Sequence, residues 1–540
     1  MRSIHRLAHF QVAATAAAVV LAAAFQSSPA RADGGAGLDS LQDAEREPAP
    51  LSFDLDKATI PDLARMMGRG ELSSIRLTLA YLQRIHHLDG KLGSVLFINP
   101  LVLAEAAASD VRHRAGKPLG PMDGIPVLLK DNADTVVMPT TAGSRALLGS
   151  SPARDAFLVR RLRAGGAVIL GKANLSEWAN FRSVKPTSGW SGVGGHTNNP
   201  HVLDRNPCGS SSGSGAAVAA SLAQVAIGSE TDGSIVCAAG MNGVVGHKPS
   251  LGLVSRSGVV PISAEQDTAG PITRHVVDSA IALSVLQARD PDDPATGDYP
   301  RDQPTNYAKL LDPNALRGAR IGLWSLPVLG PDVDRVMRAT ADTLRANGAT
   351  VIEVVPPYQD QLAADELPAL LTEFKRDINA YLATRIGGPR TLADLIAYNR
   401  RDPAERTCFA DQGLFEQAEV APPPSDPGYR ARRARLADLS RRSIDETLAK
   451  FHLDAIVAPT NPPAWKTDCV KGDNDIIPSS TPAAIAGYPH TTVPAGFIGP
   501  LPVGISIFAG RWSDARVLSL ASAVERVTAA RRPPRFLPTL

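Results

Sequence analysis

The chain has 540 residues, of which 44% are hydrophobic and 20% charged, and its formal net charge at pH 7 is +2. This composition is typical of a globular protein, and the length allows one large domain or two or three small ones. The balanced charge, without a long run of one sign, argues against a nucleic-acid partner, which normally requires a basic patch.

The N-terminus has the pattern of a secretory signal peptide. Two arginines precede QVAATAAAVVLAAAF, an apolar stretch that is too short to span a bilayer comfortably. Ala30-Arg31-Ala32 fits the small-x-small cleavage pattern, so we expect a signal peptide over 1–32 and a mature chain that begins near Asp33. We therefore expect an exported protein, periplasmic or secreted, that has no stable membrane insertion after signal removal.

A polar lead-in over 33–50, rich in Gly, Ala and Pro, precedes the first predicted elements. Apolar residues have helical spacing in ELSSIRLTLAYLQRIHHL, where serines are placed to cap the helix. A buried strand that ends in charged residues is predicted for GIPVLLKDN. DAFLVRRLRAGG predicts a helix that begins at Asp155 and stops at Gly165-Gly166, and AVILGK predicts the next strand. The last three segments make one strand–helix–strand unit.

The same alternation returns later in the chain. RIGLWSL and TVIEVVP predict strands on either side of a helix, VDRVMRATADTLRANG, that ends at Gly348. LDAIVAPT and VGISIFAG predict central strands, and SDARVLSLASAVERV predicts a closing helix with Ser513 as its cap. Such alternation favours an α/β layered fold with a largely parallel sheet. We predict one large domain over 51–535, in which the less regular segment 290–450 is a candidate cap.

Four cysteines allow three full pairings if the chain is exported. Cys208 and Cys237 flank two serine-containing segments, where we expect a constrained bridge to interfere. Cys408 and Cys469 both lie in polar, loop-like sequence and are the favoured pair if any bridge forms, with free thiols as the alternative. No C-x-x-C spacing exists, which argues against a zinc site built from cysteines.

NPCGSSSGSGAAVA, residues 206–219, places three consecutive serines in a Gly-rich loop before a small, apolar helix. A phosphate loop of the Walker type needs Lys after the last glycine, whereas Ala216 follows Gly215. GSSSG formally matches the nucleophile elbow of α/β-hydrolases with Ser211 as nucleophile, but HVLDRNPC before it predicts a turn instead of the required strand. The third alternative for this segment is a flexible surface linker. It is disfavoured because such a linker rarely continues directly into a buried helix.

Other hydrolase motifs are absent from the sequence. Neither S-x-x-K nor H-E-x-x-H occurs. His196 and His201 alone make a poor zinc site and are expected to be ordinary loop or wall histidines. These observations argue against a zinc hydrolase.

A second serine, Ser234, follows a predicted strand over 225–228 and a polar turn. Successive backbone N–H groups in that turn can surround one oxygen, which is the geometry of an oxyanion hole and is worth ~2.7–4 kcal/mol per donor. The candidate donors are the N–H groups of Thr231, Asp232, Gly233 and Ser234.

Such a serine needs a base, and a lysine can act as one only when it is neutral. Burial in an apolar setting lowers the lysine pKa from about 10.4 by several units. Lys130 is the last residue of GIPVLLK, and the residues before it are more apolar than those before any other lysine in the chain. A strand-end lysine that reaches solvent is the alternative for Lys130. Lys172, in GKANL, is a rival base that looks close to the surface.

These segments resemble the amidase signature family in order and spacing. GIPVLLKDN, NPCGSSSGSGAAVAA and GSETDGSIVCAAG carry the resemblance, which covers about residues 55–530 and is weakest over 290–450. It implies one large α/β domain with a central twisted mixed, largely parallel sheet covered by helices on both faces. It also implies a Ser–cis-Ser–Lys triad, an acyl-enzyme and no cofactor.

The resemblance assigns a role to each matching residue. Ser234 matches the nucleophile, Ser210 the cis serine that relays protons, and Lys130 the base. Ser211 is expected to support the site by hydrogen bonding. Ser212 stands where many members have Gly, a departure that should be tolerated.

GWSGVGGHTNNPHVLDRNPCGSSSGS resembles a stretch of bacterial peptide amidases, which remove a C-terminal amide without cutting internal peptide bonds. A primary amide of a peptide or amino acid is therefore the leading expected substrate, with general acylamides, aryl amides or esters as the alternative. The glutamine-dependent amidotransferase of tRNA charging shares the triad, but the predicted signal peptide argues against it. A non-catalytic exported binding protein on an amidase scaffold is the alternative of another class, against which the intact triad argues.

Overall fold

The computed structural model describes residues 51–300, 302–409, 411–474 and 478–540. The predicted signal peptide over 1–32 and the lead-in over 33–50 lie outside the described residues. Within the described ranges, no helix is long and apolar enough to cross a membrane.

The described residues form one eleven-stranded sheet and a separate two-stranded one made by β4 and β5. The strands are β1 (Val95–Ile98), β2 (Pro126–Lys130), β3 (Val168–Ala173), β4 (Trp190–Ser191), β5 (Gly195–His196), β6 (Val225–Glu230), β7 (Val245–Lys248), β8 (Thr268–Thr273), β9 (Arg320–Leu323), β10 (Thr350–Glu353), β11 (Ala455–Pro459), β12 (His490–Ile498) and β13 (Leu501–Phe508).

Fourteen α-helices are found in the same ranges. They are α1 (Ile60–Gly68), α2 (Ser74–Leu92), α3 (Val102–Arg114), α4 (Phe157–Ala164), α5 (Ser212–Ala219), α6 (Val236–Met241), α7 (Val276–Leu286), α8 (Pro331–Ala346), α9 (Gln359–Ala383), α10 (Leu392–Arg401), α11 (Gly413–Glu419), α12 (Pro427–Phe451), α13 (Thr481–Ala486) and α14 (Asp514–Thr528).

The large strand order is β1-β3-β2-β6-β8-β7-β12-β13-β11-β9-β10, which confirms the α/β class and the mixed sheet. Strands joined by a crossover helix pair in parallel, as β2 with β3 and β9 with β10 do. The middle of the sheet, from β6 to β11, is antiparallel instead. Parallel pairing is therefore confined to β3-β2-β6 on one side and β11-β9-β10 on the other, because hairpins such as β12–β13 replace crossover helices in the centre. The edge strand β1 pairs with β3 in the antiparallel direction.

The strands that carry the site are buried along their whole length. Every residue of β2, β3 and β6 is buried, because both faces of these strands are covered by helices or by other parts of the chain. Helices α5 and α6 contact each other, and α14 contacts α7 and α8. The side chains of Val127, Leu128 and Leu129, which precede the last residue of β2, belong to the main apolar core.

Helix starts agree fully with the sequence in one case and only in part in two. The Ser73 hydroxyl accepts a hydrogen bond from the Arg76 N–H and caps α2, as predicted. Helix α4 begins at Phe157 instead of Asp155, because the Asp155 carboxylate accepts from the Val136 N–H of a neighbouring loop. Ser513 is the N-cap residue of α14, as expected, but its hydroxyl donates to the Gly510 carbonyl and does not cap a helix N–H.

All four cysteines are paired in two disulfides. The favoured pair Cys408–Cys469 is confirmed. The expectation that Cys208 and Cys237 stay apart is wrong, because they are also bridged. Their Cα atoms lie 5.9 Å apart, within the range that a disulfide requires. The sulfur atoms belong to an apolar cluster and not to the polar site, so the bridge and the serine hydroxyls do not compete for space.

The segment predicted as a candidate cap contributes helices α9 to α11 to a second apolar cluster. This cluster includes Phe374 of α9, Leu395 of α10 and Phe415 of α11. It also includes Trp178 and Phe181, which follow β3. The helical segment is thereby packed against the loop that leaves the strand next to β2.

Candidate active site

Lys130 is the last residue of β2, and its side chain is directed into the protein interior. It is only 1% exposed. Its Nζ lies 2.7 Å from the Ser210 Oγ, 2.9 Å from the Ser229 Oγ and 3.1 Å from the Ser229 carbonyl oxygen. The alternative of a strand-end lysine that reaches solvent is therefore wrong.

Burial is the main influence on the ionisation of this amine. Removal from water lowers the pKa of Lys130 to about 7, although the negative charges of Asp267 and Glu230 act in the opposite direction. At neutral pH a large fraction of Lys130 is thus neutral and able to accept a proton. A solvated lysine, with its pKa near 10.4, cannot do this to a useful extent.

Ser210 follows a cis peptide bond, Gly209–Ser210, and is fully buried. Its carbonyl oxygen accepts a hydrogen bond from the Ser176 N–H at 3.0 Å. A Cβ atom at position 209 would collide with the hydroxyls of Ser176 and Ser188. Glycine is therefore required there, because the serine loop passes directly against the segment that follows β3.

Ser234 lies in the tight turn between β6 and α6 and is half-buried. Gly233 before it has φ +78°, a left-handed conformation that favours glycine. The Glu230 carboxylate accepts from the N–H groups of Ile235 and Val236, at 2.8 and 3.0 Å, and so fixes the start of α6. The backbone N–H groups of 231–234 have no acceptor among the described residues. They remain free to bind an oxygen of a ligand.

Ser211 connects the two serine loops. Its N–H donates to the Ser234 carbonyl at 3.1 Å. Its hydroxyl donates to the Ser229 carbonyl at 3.1 Å and accepts from the Ser229 N–H at 3.2 Å. The residue that binds Lys130 is thereby held to the loop that carries Ser210.

The side chains of Asp232 and Thr231 form hydrogen bonds that hold the turn in place. The Asp232 carboxylate accepts from the hydroxyls of Ser480 and Thr481, and the Thr231 hydroxyl donates to Asp267 at 2.5 Å. Burial raises the pKa of Asp232 to about 6, and burial together with the nearby Asp232 charge raises the pKa of Glu366 well above its usual range. The turn is thus anchored to the start of α13.

Lys172 was expected to lie near the surface, and this is wrong. It is completely buried and forms an ion pair with Asp131 at 2.9 Å, while its Nζ also donates to the Ala133 carbonyl. A third buried lysine, Lys248, donates to the Tyr488 carbonyl at 2.6 Å. Of the buried lysines in the described residues, Lys130 alone bonds a serine hydroxyl of the expected triad.

The two histidines considered for zinc lie apart from the triad. Burial lowers the pKa of both His196 and His201 to about 4, and His201 Nε2 lies 3.1 Å from the Asn242 carbonyl. No group of three or more His, Cys, Asp or Glu in the described ranges is arranged to hold a metal ion.

Sequence reasoning missed two residues that contact the lysine or its partner. Ser229 accepts two hydrogen bonds from Lys130, and Asn132 Nδ2 donates to the Ser229 hydroxyl at 2.8 Å. Both stand inside the quoted motifs, GIPVLLKDN and GSETDGSIVCAAG. Their position at the ends of the paired strands β2 and β6 was the available signal, since neighbouring parallel strands bring such residues together.

The family model Amidase matches residues 76–518. A probable amidase of Arabidopsis thaliana is 40% identical over 511 residues, which cover 90% of this chain and 93% of the relative. A glutamyl-tRNA(Gln) amidotransferase subunit of Salinispora arenicola is 34% identical, with 89% of this chain and 99% of the relative covered.

Solved structures of peptide amidases are similar over the same region. The peptide amidase PAM in complex with the competitive inhibitor chymostatin is 48% identical with a TM-score of 0.87, covering 89% of this chain and 99% of that one. Native peptide amidase from Stenotrophomonas maltophilia is 47% identical with a TM-score of 0.85 and the same coverage. Together with the geometry of Lys130 and the two serine loops, these matches show that the chain belongs to the amidase signature family and is an amide-hydrolysing enzyme.

Proposed function

We propose that this enzyme hydrolyses a primary carboxylic amide to the acid and ammonia through an acyl-enzyme on Ser234, and that its substrate is a C-terminally amidated peptide or amino-acid amide. The observation that carries the mechanism is the buried amine of Lys130 at 2.7 Å from the Ser210 hydroxyl. The 48% identity to a peptide amidase supports the substrate class.

The hydrogen-bond partners of Lys130 support a neutral base. A neutral amine has two hydrogens and one lone pair. The carbonyl oxygen and the hydroxyl of Ser229 can accept the two hydrogens, at 3.1 and 2.9 Å. The lone pair then faces the Ser210 hydroxyl, which is the direction needed to accept its proton.

In the first half of the cycle, Lys130 accepts the Ser210 proton while Ser210 accepts the Ser234 proton. The Ser234 oxygen forms a bond with the amide carbon, and the carbonyl oxygen becomes an oxyanion. The free N–H groups of 231–234 stabilise that charge, with a contribution of ~2.7–4 kcal/mol for each donor.

In the second half, Ser210 returns a proton to the amide nitrogen, the carbon–nitrogen bond breaks and ammonia leaves. Protonation is required because an unprotonated amide anion is a very poor leaving group. A water molecule then attacks the acyl-enzyme by the same relay, giving the carboxylic acid and restoring the Ser234 hydroxyl. Lys130 is protonated while each tetrahedral intermediate exists, and it becomes neutral again when the intermediate collapses and its proton passes to Ser210.

The test is product release from four matched substrates: a peptide amide, an amino-acid amide, an anilide and a methyl ester. We expect the first two to have the highest kcat/KM and internal peptide bonds to stay intact by mass spectrometry. The Ser234→Ala variant should bind but release nothing. Wild type that releases no product from any of the four would favour the non-catalytic binding protein, and preference for the anilide or ester would favour the general acylamidase or esterase.

We also propose that the protein is exported. The N-terminal pattern supports this, as do the two disulfides among the described residues, since such bridges persist in oxidising compartments. N-terminal sequencing of protein recovered from the extracytoplasmic fraction should begin near Asp33. Recovery of the intact N-terminus from the cytoplasm would reject export.

A further inference from the structure

The Cys208–Cys237 disulfide joins the two loops of the proposed triad. Cys208 lies two residues before Ser210, and Cys237 lies three residues after Ser234 in the first turn of α6. The two cysteines are 29 residues apart in sequence, and both serines lie between them. The bridge therefore closes a ring that contains the proposed nucleophile and the proposed relay.

Other contacts also join these loops, among them the two hydrogen bonds between Ser211 and Ser229. On the side of the serines, the backbone bond from the Ser211 N–H to the Ser234 carbonyl joins them at 3.1 Å. On the other side, the Asn242 side chain donates to the Pro207 carbonyl at 2.8 Å. A covalent link between position 208 and the first turn of α6 thus adds a constraint close to the reacting groups.

The surroundings of the bridge argue for positioning and against thiol chemistry. Cys208 and Cys237 are 2% and 0% exposed. They pack in an apolar cluster with Val202, Met241 and Leu501, which keeps reagents in solution away from the sulfur atoms. Reactive cysteines are usually partly exposed in electropositive surroundings.

Resting on the proposed function, we propose that Cys208–Cys237 is a positioning pair that sets the separation of the Ser210 and Ser234 hydroxyls, so that proton transfer depends on the oxidised bridge. A misplacement of about 1 Å can reduce a rate by about 100-fold. Loss of the bridge should therefore lower kcat by roughly 10- to 100-fold, while KM changes by less than about threefold. Substrate binding should be little affected, because both cysteine side chains are buried in an apolar cluster and cannot contact a substrate directly.

The chain supplies a matched control. Cys408–Cys469 also joins distant segments, 61 residues apart, but it links the segment after α10 to the one after β11 and does not flank either serine loop. Because it closes a longer ring, its removal should destabilise the fold at least as much as removal of the first bridge. A loss of kcat caused only by lower stability would appear in both variants.

The experiment compares the double variants C208A/C237A and C408A/C469A with wild type. Ammonia release gives kcat and KM, circular dichroism gives the folded fraction, and a serine-directed acylating reagent counts competent sites. We expect the kcat loss, and a changed pH profile for acylation, in C208A/C237A alone. A kcat per folded molecule within twofold of active wild type would overturn the proposal. An inactive wild type would instead reject the proposed function.

A second measurement covers the case in which C208A/C237A does not fold. Wild-type protein is treated with a water-soluble phosphine at a urea concentration below the midpoint of unfolding. Activity is followed during the reaction. Samples are then denatured and alkylated, and the free thiols at each cysteine are counted. The phosphine is oxidised to its oxide as each S–S bond becomes two thiols. Activity should fall with the appearance of thiols at 208 and 237. Full activity in molecules reduced at those positions would overturn the proposal.

Discussion

Lys130 and Ser229 are joined by two hydrogen bonds, one to the hydroxyl and one to the carbonyl oxygen of the serine, at 2.9 and 3.1 Å. They stand at the ends of the adjacent parallel strands β2 and β6, which places a polar pair at the edge of a dry core. These two bonds hold the amine in one orientation, in which its remaining hydrogen-bonding position faces the Ser210 hydroxyl.

Lys130→Met should abolish turnover while leaving substrate binding intact. Methionine fills the apolar volume but has no basic nitrogen, and loss of a general base typically costs ~10²–10⁴-fold. Steady-state kinetics on an amino-acid amide, with inhibitor binding by calorimetry, measures the two effects separately. Turnover within tenfold of wild type would show that another group is the base.

The pH profile of kcat/KM should rise with pH and level off above about 7, because the active form of Lys130 is the deprotonated one and its pKa is about 7. Asp232 and Asp267, with pKa values raised to about 6 by burial, titrate nearby. An amine ionises with a large enthalpy and a carboxyl group with almost none. The midpoint should therefore move to lower pH on warming, and a midpoint that does not move would assign the step to a carboxyl group.

Lys130→Met should also stabilise the fold at neutral pH, by about 1–3 kcal/mol after the lost hydrogen bonds are included. The reason is that the pKa of this lysine is lower in the folded chain than in the unfolded one. Between about pH 7 and 10 the unfolded state binds the extra proton, so wild-type stability rises relative to the variant as pH rises. Urea titrations at pH 7 and 9.5 measure the gap, which should be smaller at the higher pH.

Ser210→Ala should reduce kcat by about 10³-fold or more, because the relay between Ser234 and Lys130 is interrupted. The matched control is Ser212→Gly two residues later. The Ser212 hydroxyl donates to the Cys208 carbonyl and does not contact the lysine, so the control should keep kcat within about threefold. Equal losses in the two variants would point to disturbance of the loop instead of loss of a proton carrier.

Arg182→Met should destabilise the fold by about 3 kcal/mol or more. Arg182 is buried and donates to both carboxylate oxygens of Glu177 and to Glu405, and its removal leaves two buried acids without a cation. Arg442→Met is the control, because its ion pair with Glu446 is half exposed and screened by solvent, so its loss should change stability very little. Chemical denaturation measures both, and similar values would contradict the prediction.

Patterns in the amino-acid sequence were enough to predict the fold class and the residues of the candidate site. Helical and strand periodicities are local, and so are the glycines and serines of the loops, so β2, β6 and the segment around Ser210 could be predicted from short windows. The resemblance of the motifs to the amidase signature family then implied that Lys130 lies with Ser210 and Ser234. The apolar residues before Lys130 made it a candidate for burial, but they left open a strand-end lysine that reaches solvent, and the structure shows that the side chain is buried.

Contacts between residues that are far apart in the chain could be identified only from the folded structure. It pairs Cys208 with Cys237, buries Lys172 against Asp131 and sets Ser229 beside Lys130. It also makes the centre of the sheet antiparallel. These contacts depend on how strands that are far apart in the chain align across the sheet and on which helices cover them. Local pattern carries no information on that alignment, because the same strand can pair in either direction and beside different neighbours.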